Sequence, residues 1–349
     1  MTKRKSFPDI QNLVRKNILN MKPYSSARDE FKGEAEVYLD ANENPYPSPY
    51  NRYPDPLQLD VKKKLAELKQ VEPHQIFLGN GSDEAIDLLI RAFCEPNHDS
   101  ILITEPTYGM YSVCAEVNAV NVQHVLLTPD FDIDLETFPK TFDATTKIIF
   151  LCSPNNPTGN LLSHDKIMEV LKRFYGLVVI DEAYIDFAKG KSFVQELHKF
   201  PNLVVLQTFS KAWGLAGLRL GMAFASKEII QILNKIKYPY NVNIRTQELA
   251  LDALENSHNK DEAVKEIIQE RSRLAKALLK LRITEKVYPS DGNFLLVRVK
   301  DAQATYQHLM NNRIIVRDRS KVILCYNSIR ITVGTPAENT RLIEELEKL

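Results

Sequence analysis

Leu203-Val-Val-Leu-Gln-Thr-Phe-Ser-Lys-Ala-Trp-Gly-Leu-Ala-Gly-Leu-Arg-Leu-Gly221 decides the fold, because it runs an apolar segment into a polar turn that carries one lysine and one arginine. Leu203–Thr208 reads as a buried strand. That places Lys211 in the crevice at a strand's carboxyl end, where open α/β sheets take their ligands. A lysine there can do covalent chemistry. Its amine forms a Schiff base with a carbonyl once neighbours lower its pKa, while Ser210 and Arg219 offer a hydroxyl and a fixed cation to an anion. On these residues alone a surface lysine after a turn is an equal reading, so the rest of the chain has to decide.

Outward from this segment, strand-like and helix-like stretches alternate. Ile76–Leu78 leads into Gly79–Ser82 and a helical run, Glu84–Phe93. Further strands are predicted at Ile101–Thr104, Val122–Leu127, Lys147–Cys152, Leu177–Ile180 and Gly221–Ala225, with helices near Tyr108–Val117, His164–Phe174 and Lys227–Ile236. Such alternation argues for a mostly parallel sheet covered by helices. A long helix, Lys260–Leu281, follows, with Val264, Ile267, Leu274 and Leu278 on its apolar side. Beyond it, strands at Asn293–Val299, Ile314–Arg317 and Ser328–Val333 and helices at Ala302–Asn311 and Ala337–Leu349 read as a small α+β domain. The expected organisation is an arm over residues 1–45, with a short helix in Asp9–Leu19, a large domain over 46–281 and a small domain over 282–349. The arm is expected to contribute to the small domain and to dimer contacts.

With 349 residues the chain exceeds what one core normally serves, and 44% hydrophobic residues suffice for a large one. Lys+Arg and Asp+Glu balance at 45 each, which argues against a nucleic-acid partner. Cys94, Cys114, Cys152 and Cys325 form no C-x-x-C pair, no histidines have ligand spacing, and no apolar run reaches the ~18 residues of a membrane span. A cytoplasmic protein without a metal is expected.

Four segments end at predicted strand termini. Gly79-Asn-Gly-Ser-Asp-Glu84 is a glycine-rich turn opening a helix, where main-chain N–H groups point at an anion; a plain N-cap at Ser82 is the alternative. Ser153-Pro-Asn-Asn-Pro-Thr-Gly159 is a rigid turn able to hold the Asn156 amide in the crevice, or simply a turn. Asp181-Glu-Ala-Tyr184 offers a carboxylate that can keep a pyridine nitrogen cationic, with Tyr184 as a donor; an Asp after a strand is otherwise a helix cap. The fourth is the segment of Lys211. Tyr108, in Glu105-Pro-Thr-Tyr-Gly109, adds an aromatic face for a ring, or else a half-buried core tyrosine. Their order along the chain, phosphate turn, Asn, Asp, Lys, Arg, is far less expected by chance than any one of them.

These residues resemble the fold-type I pyridoxal-phosphate aminotransferases, class II branch, and within it the histidinol-phosphate aminotransferases. Leu39-Asp-Ala-Asn-Glu-Asn-Pro45, Asn51-Arg-Tyr-Pro-Asp55, S-P-N-N-P-T-G, D-E-A-Y, T-F-S-K-A-W-G-L-A-G-L-R-L-G and Ile329-Arg-Ile-Thr-Val-Gly334 carry the likeness over nearly the whole chain. The resemblance implies a mostly parallel seven-stranded sheet, with Lys211 bound to the cofactor aldehyde and Asp181 on the pyridine nitrogen. It implies Asn156 and Tyr184 on the ring oxygen, with Gly81, Ser82, Asp83, Ser210 and Arg219 on the cofactor phosphate. It further implies a homodimer in which Tyr53 reaches the neighbouring copy's phosphate. Tyr24, Asn44, Arg317 and Arg330 are expected at the substrate, the two arginines meeting the phosphate of L-histidinol phosphate in one half-reaction and a carboxylate of glutamate or 2-oxoglutarate in the other. Rival readings are an aromatic aminotransferase or a threonine-phosphate decarboxylase of the same branch. An aminotransferase-like regulator is a further one, although the proline-punctuated arm leaves little room for a helix-turn-helix module.

Overall fold

The computed structural model describes residues 7, 9–24, 35–138 and 142–349. A seven-stranded sheet runs in the order β1 (Ile76–Asn80), β7 (Leu220–Ala225), β6 (Leu203–Thr208), β5 (Leu177–Asp181), β4 (Thr146–Cys152), β2 (Ser100–Glu105), β3 (Asn121–Leu126). Its strands are parallel except β7, which runs antiparallel to both β1 and β6. The six strands from β2 to β7 stand within one residue of the predicted bounds. Their legibility is physical: a parallel sheet covered on both faces needs apolar residues at every position, as in the fully buried L-V-V-I-D of β5.

Side chains of a strand alternate between the two faces, and the cores divide accordingly. Leu102, Ile149, Leu151, Val178, Ile180 and Val205 enter one core. Ile101, Ile103, Ile148, Phe150, Val179 and Leu206 enter the other, against helix Gly81–Phe93 and helix Lys227–Ile236.

The second sheet is antiparallel, in the order β10 (Arg317–Asp318), β11 (Ser328–Thr332), β9 (Phe294–Val299), β8 (Thr284–Val287). Leu295, Val297, Val299, Ile329 and Ile331 face its own core, with helices Ala302–Asn311 and Pro336–Leu346. The alternate residues turn toward the larger sheet: Leu296 joins a core of that sheet, and Phe294 packs with Tyr184. Helix Ser257–Leu278, 22 residues long, touches both regions, through Val264 beside Tyr184 and through Leu274 and Leu278 in the small core.

Several features differ from expectation. The strand predicted at Ile314–Arg317 is only Arg317–Asp318. Helix Ile244–Glu255 and strand β8 were not foreseen: the apolar residues of I-R-T-Q-E-L-A-L-D-A-L-E crowd into its second half, and T-E-K-V has one apolar residue in four. The Asp9–Leu19 helix is instead a 3₁₀ turn, Ile10–Leu13, followed by a short helix, Lys16–Asn20. Finally, Ile10, Val14 and Ile18 lie in a core of the larger sheet rather than the smaller one, and the Arg15 N–H donates to the Ala92 carbonyl at 3.0 Å. Among the described residues, no helix is long and apolar enough to cross a membrane and no cluster of three or more His, Cys, Asp or Glu suits a metal. The four cysteines are free and buried.

Candidate active site

The carboxyl ends of β1, β2, β4, β5 and β6 open on one cleft. Gly81, Ser82, Asp83, Tyr108, Cys152, Asn156, Asp181, Ala183, Tyr184, Thr208, Ser210, Lys211 and Arg219 line it. All ten cofactor-side residues predicted from the large domain's strand ends therefore meet. Cys152, Ala183 and Thr208 are additions that no motif announced.

One wall depends on two glycines. Gly81 adopts φ +73°, and a Cβ on Gly221 would lie 2.1 Å from the Ser82 nitrogen. Only glycine lets β7 and the turn after β1 approach this closely. Gly81 N–H donates to the Arg219 carbonyl at 2.6 Å, fixing that turn to the start of β7. The expected Ser82 cap is replaced: Asn80 is the N-cap, with no side-chain cap bond, and Glu84 accepts from the Asn80 N–H. Ser82 is thus inside the first helical turn, where main-chain N–H groups have no intrahelical partner. Arg219 Nη1 donates to Ser210 Oγ at 3.4 Å, and Thr208 Oγ1 donates to Ser210 Oγ at 3.0 Å. The Asp83 carboxylate is engaged by Tyr108 O–H at 3.2 Å and lies 3.7 Å from Arg219 Nη2. Orphan N–H groups, two hydroxyls and a guanidinium make a cradle for a phosphate.

The opposite wall is buried. Asp181 ends β5 and is not the helix cap that an Asp after a strand suggests; Tyr111 O–H donates to its Oδ2 at 2.7 Å and the Ala183 N–H to its Oδ1 at 3.0 Å. Burial pushes its carboxyl up, and these two donors pull it back. Asn156 Nδ2 donates to Tyr184 Oη at 3.4 Å, and burial raises the Tyr184 phenol. Tyr111 escaped the sequence reading because a tyrosine inside a helical pattern looks like any core aromatic.

Lys211 stands between the walls, partly open to solvent, with its Nζ 5.6 Å from the Tyr184 ring centre. Partial desolvation lowers its pKa, and the Arg330 charge lowers it further against the pull of Asp181.

Arg330 comes from the second sheet. Ile329 and Ile331 point into its core, so Arg330 points the other way, and its Nη1 donates to Asn156 Oδ1. Arg317 is its direct cross-strand partner and is exposed. Burial lowers the Arg319 pKa, as do Arg330 and Arg317 beside it, and its Nε is buried without a hydrogen-bond partner. This gathering of cations is an anion-seeking surface.

Three predicted residues lie apart. Tyr53 stacks on Tyr240, ring centres 4.3 Å apart, in a separate cleft with Asn42, Glu43, Arg52 and Arg245. Asn44 accepts from the Tyr46 N–H at 3.0 Å, and Tyr24 is exposed.

The residues present fit pyridoxal phosphate: a phosphate cradle, a carboxylate at the far wall, an amide and a phenol between, and an amine of lowered basicity. Comparison with known proteins agrees. Residues 31–346 match the family model "Aminotransferase class I and II". The chain is 57% identical over 342 residues to a histidinol-phosphate aminotransferase of Cytophaga hutchinsonii, covering 97% of this chain and 98% of that one. The histidinol-phosphate aminotransferase of Clostridium acetobutylicum superposes with a TM-score of 0.79 at 27% identity, over 85% of this chain and 90% of that one. The Sinorhizobium meliloti enzyme of the same name, solved with pyridoxal-5'-phosphate, shares the fold with a TM-score of 0.78 at 24% identity, over 85% of this chain and 82% of that one.

Proposed function

We propose, since the chain belongs to the class I and II aminotransferase family, that it transfers the amino group between L-histidinol phosphate and 2-oxoglutarate, giving imidazole acetol phosphate and L-glutamate. The observation that carries the reading is Arg330 meeting Asn156 beside Lys211, which brings an anion-binding guanidinium to the site of amine chemistry. The name of relatives matching nearly full length supports the choice of substrate.

Pyridoxal phosphate, when bound, supplies an aldehyde that condenses with amines and a ring that takes up the electron pair released at the substrate carbon. Lys211 holds it at rest. Its Nζ, when free, would carry the proton from the substrate carbon to the cofactor's aldehyde carbon. Asp181 would hold the pyridine nitrogen, Asn156 and Tyr184 the ring oxygen, and Tyr108 the ring face. Ser82, Asp83, Ser210 and Arg219 would take the cofactor phosphate, Asp83 through its main-chain N–H because its carboxylate is engaged, while Gly81, its own N–H given to the Arg219 carbonyl, leaves room for the phosphate to approach the turn. Arg330 and Arg317 take the substrate's phosphate or the acid's carboxylate in turn, so two substrates share one pocket in ping-pong order. Tyr24 and Asn44 lie apart from this cleft, and only the resemblance assigns them to the substrate side. In this reading the chain works in the cytoplasm as a homodimer, and Tyr53 serves the neighbouring copy's pocket.

The test is cofactor-loaded protein assayed against L-histidinol phosphate, histidinol, phenylalanine and threonine phosphate, with 2-oxoglutarate as acceptor. Losing about two charge-assisted bonds should leave histidinol about a hundredfold or more behind its phosphate in kcat/KM. Equal values for the two would sink the phosphate assignment. Release of carbon dioxide from threonine phosphate would favour the decarboxylase.

A further inference from the structure

Tyr111 does not line the cleft, yet it is fully buried against the residue that forms its far wall. Its ring stacks on Phe150 of β4 with centres 4.7 Å apart and planes 13° apart, and meets Tyr108 edge-on at 5.6 Å. Two aromatic rings flank the phenol, and its O–H donates to Asp181 Oδ2. The other carboxylate oxygen is held by a main-chain N–H, from Ala183.

We propose that Tyr111 is the positioning residue for the pyridine end of the cofactor: its O–H fixes the orientation and negative charge of the Asp181 carboxylate, so that the shared proton resides on the ring nitrogen. The inference rests on the assignment of Asp181 to that nitrogen. A carboxylate without donors in an apolar surround is a strong base and draws a proton to itself. The groups bearing on Asp181 are few. Asp83 opposes its charge, Lys211 favours it, and Tyr111 and Ala183 hydrogen-bond to it. Ala183 contributes a main-chain donor that no side-chain change removes. Tyr111 is therefore the only one of these groups that is a dedicated side-chain donor outside the cleft. Because burial and the nearby Asp181 charge keep its phenol protonated, it stays a donor at every working pH.

The test compares Tyr111→Phe with the unaltered protein, both loaded with pyridoxal phosphate enriched in 15N at the ring. The unaltered protein should show a protonated-nitrogen resonance by solid-state NMR. In the variant the resonance should move toward the unprotonated position, and the cofactor dissociation constant should rise about tenfold, the loss expected of one charge-assisted bond. In an Asp181→Asn background the same substitution should change neither. An unmoved resonance and dissociation constant in Tyr111→Phe would overturn the proposal, as would an equal effect without the carboxylate. Phe150→Leu loosens the ring but keeps the O–H, and should retain the protonated resonance even if Tyr111→Phe does not fold; a shift there would assign the effect to packing and overturn the proposal. Absence of cofactor binding in the unaltered protein would instead strike the assignment of Asp181.

Discussion

At one end of the cleft the groups suited to an anion are main-chain N–H groups at the start of helix Gly81–Phe93, joined by Ser210 and the Arg219 side chain. Beside the cleft, at Asn156, stands the Arg330 guanidinium, with Arg317 and Arg319 next to it, from a different, antiparallel sheet. The first set is rigid. Its geometry follows from two glycines and from β-sheet pairing, which suits a group that stays bound through many turnovers. The second is made of long side chains whose planar forks accept phosphate and carboxylate alike, as two alternating substrates require. Under the proposed function, resident and passing anions would be met with different chemistry.

The largest effect that would sharpen this contrast is expected at Arg330. Arg330→Gln should lower kcat/KM for the phosphorylated substrate by about a hundredfold or more, while the cofactor dissociation constant stays put. Weakening of both together would break the division. Next, Arg219→Gln should weaken the cofactor by only about tenfold, because main-chain donors remain and the side chain is half exposed, with KM unchanged at saturating cofactor. A raised KM in that titration would blur the two ends.

A third effect belongs to a carboxyl outside both. Glu182 is buried, accepting from Ser192 Oγ, the Phe193 N–H and Gln207 Nε2, and burial pushes it up to about 7 against an ordinary 4.5. Between those values the fold keeps a proton that the unfolded chain has lost, so stability falls as pH rises through this window, by at most about 1.4 kcal/mol per unit, and levels off above it. Glu182→Gln should flatten that slope in urea unfolding of the cofactor-free protein between pH 5 and 7.5. An unchanged slope would assign it to other groups.

The cofactor end was legible because its residues sit next to apolar strand runs, and in a sheet with aligned strands chain neighbours become spatial neighbours. Gly81, Asn156, Asp181 and Lys211 each follow such a run. Arg330 was legible only through resemblance, since its partner Asn156 lies 174 residues away and nothing local joins them. Afterwards the alternation Ile329-Arg330-Ile331 explains its direction. Tyr111 had no local signal, as a buried hydroxyl's role depends on what it faces. Arg319 stood in a charged run, Arg317-Asp-Arg319, that reads as solvated surface until the neighbouring strands bring it beside Arg330.

The edge position of β1 has a consequence for how the protein is made. Its ladder partner is β7, synthesised long after it, and the phosphate cradle exists only where the Gly81 turn meets Leu220 and Gly221. A growing chain that has emitted β1 through β6 already holds the parallel strands, but it has no cradle until Ala225 has emerged and the distant pairing has closed. Cofactor capture is therefore a late event in biogenesis, and a signal that the sheet's last strand is in place.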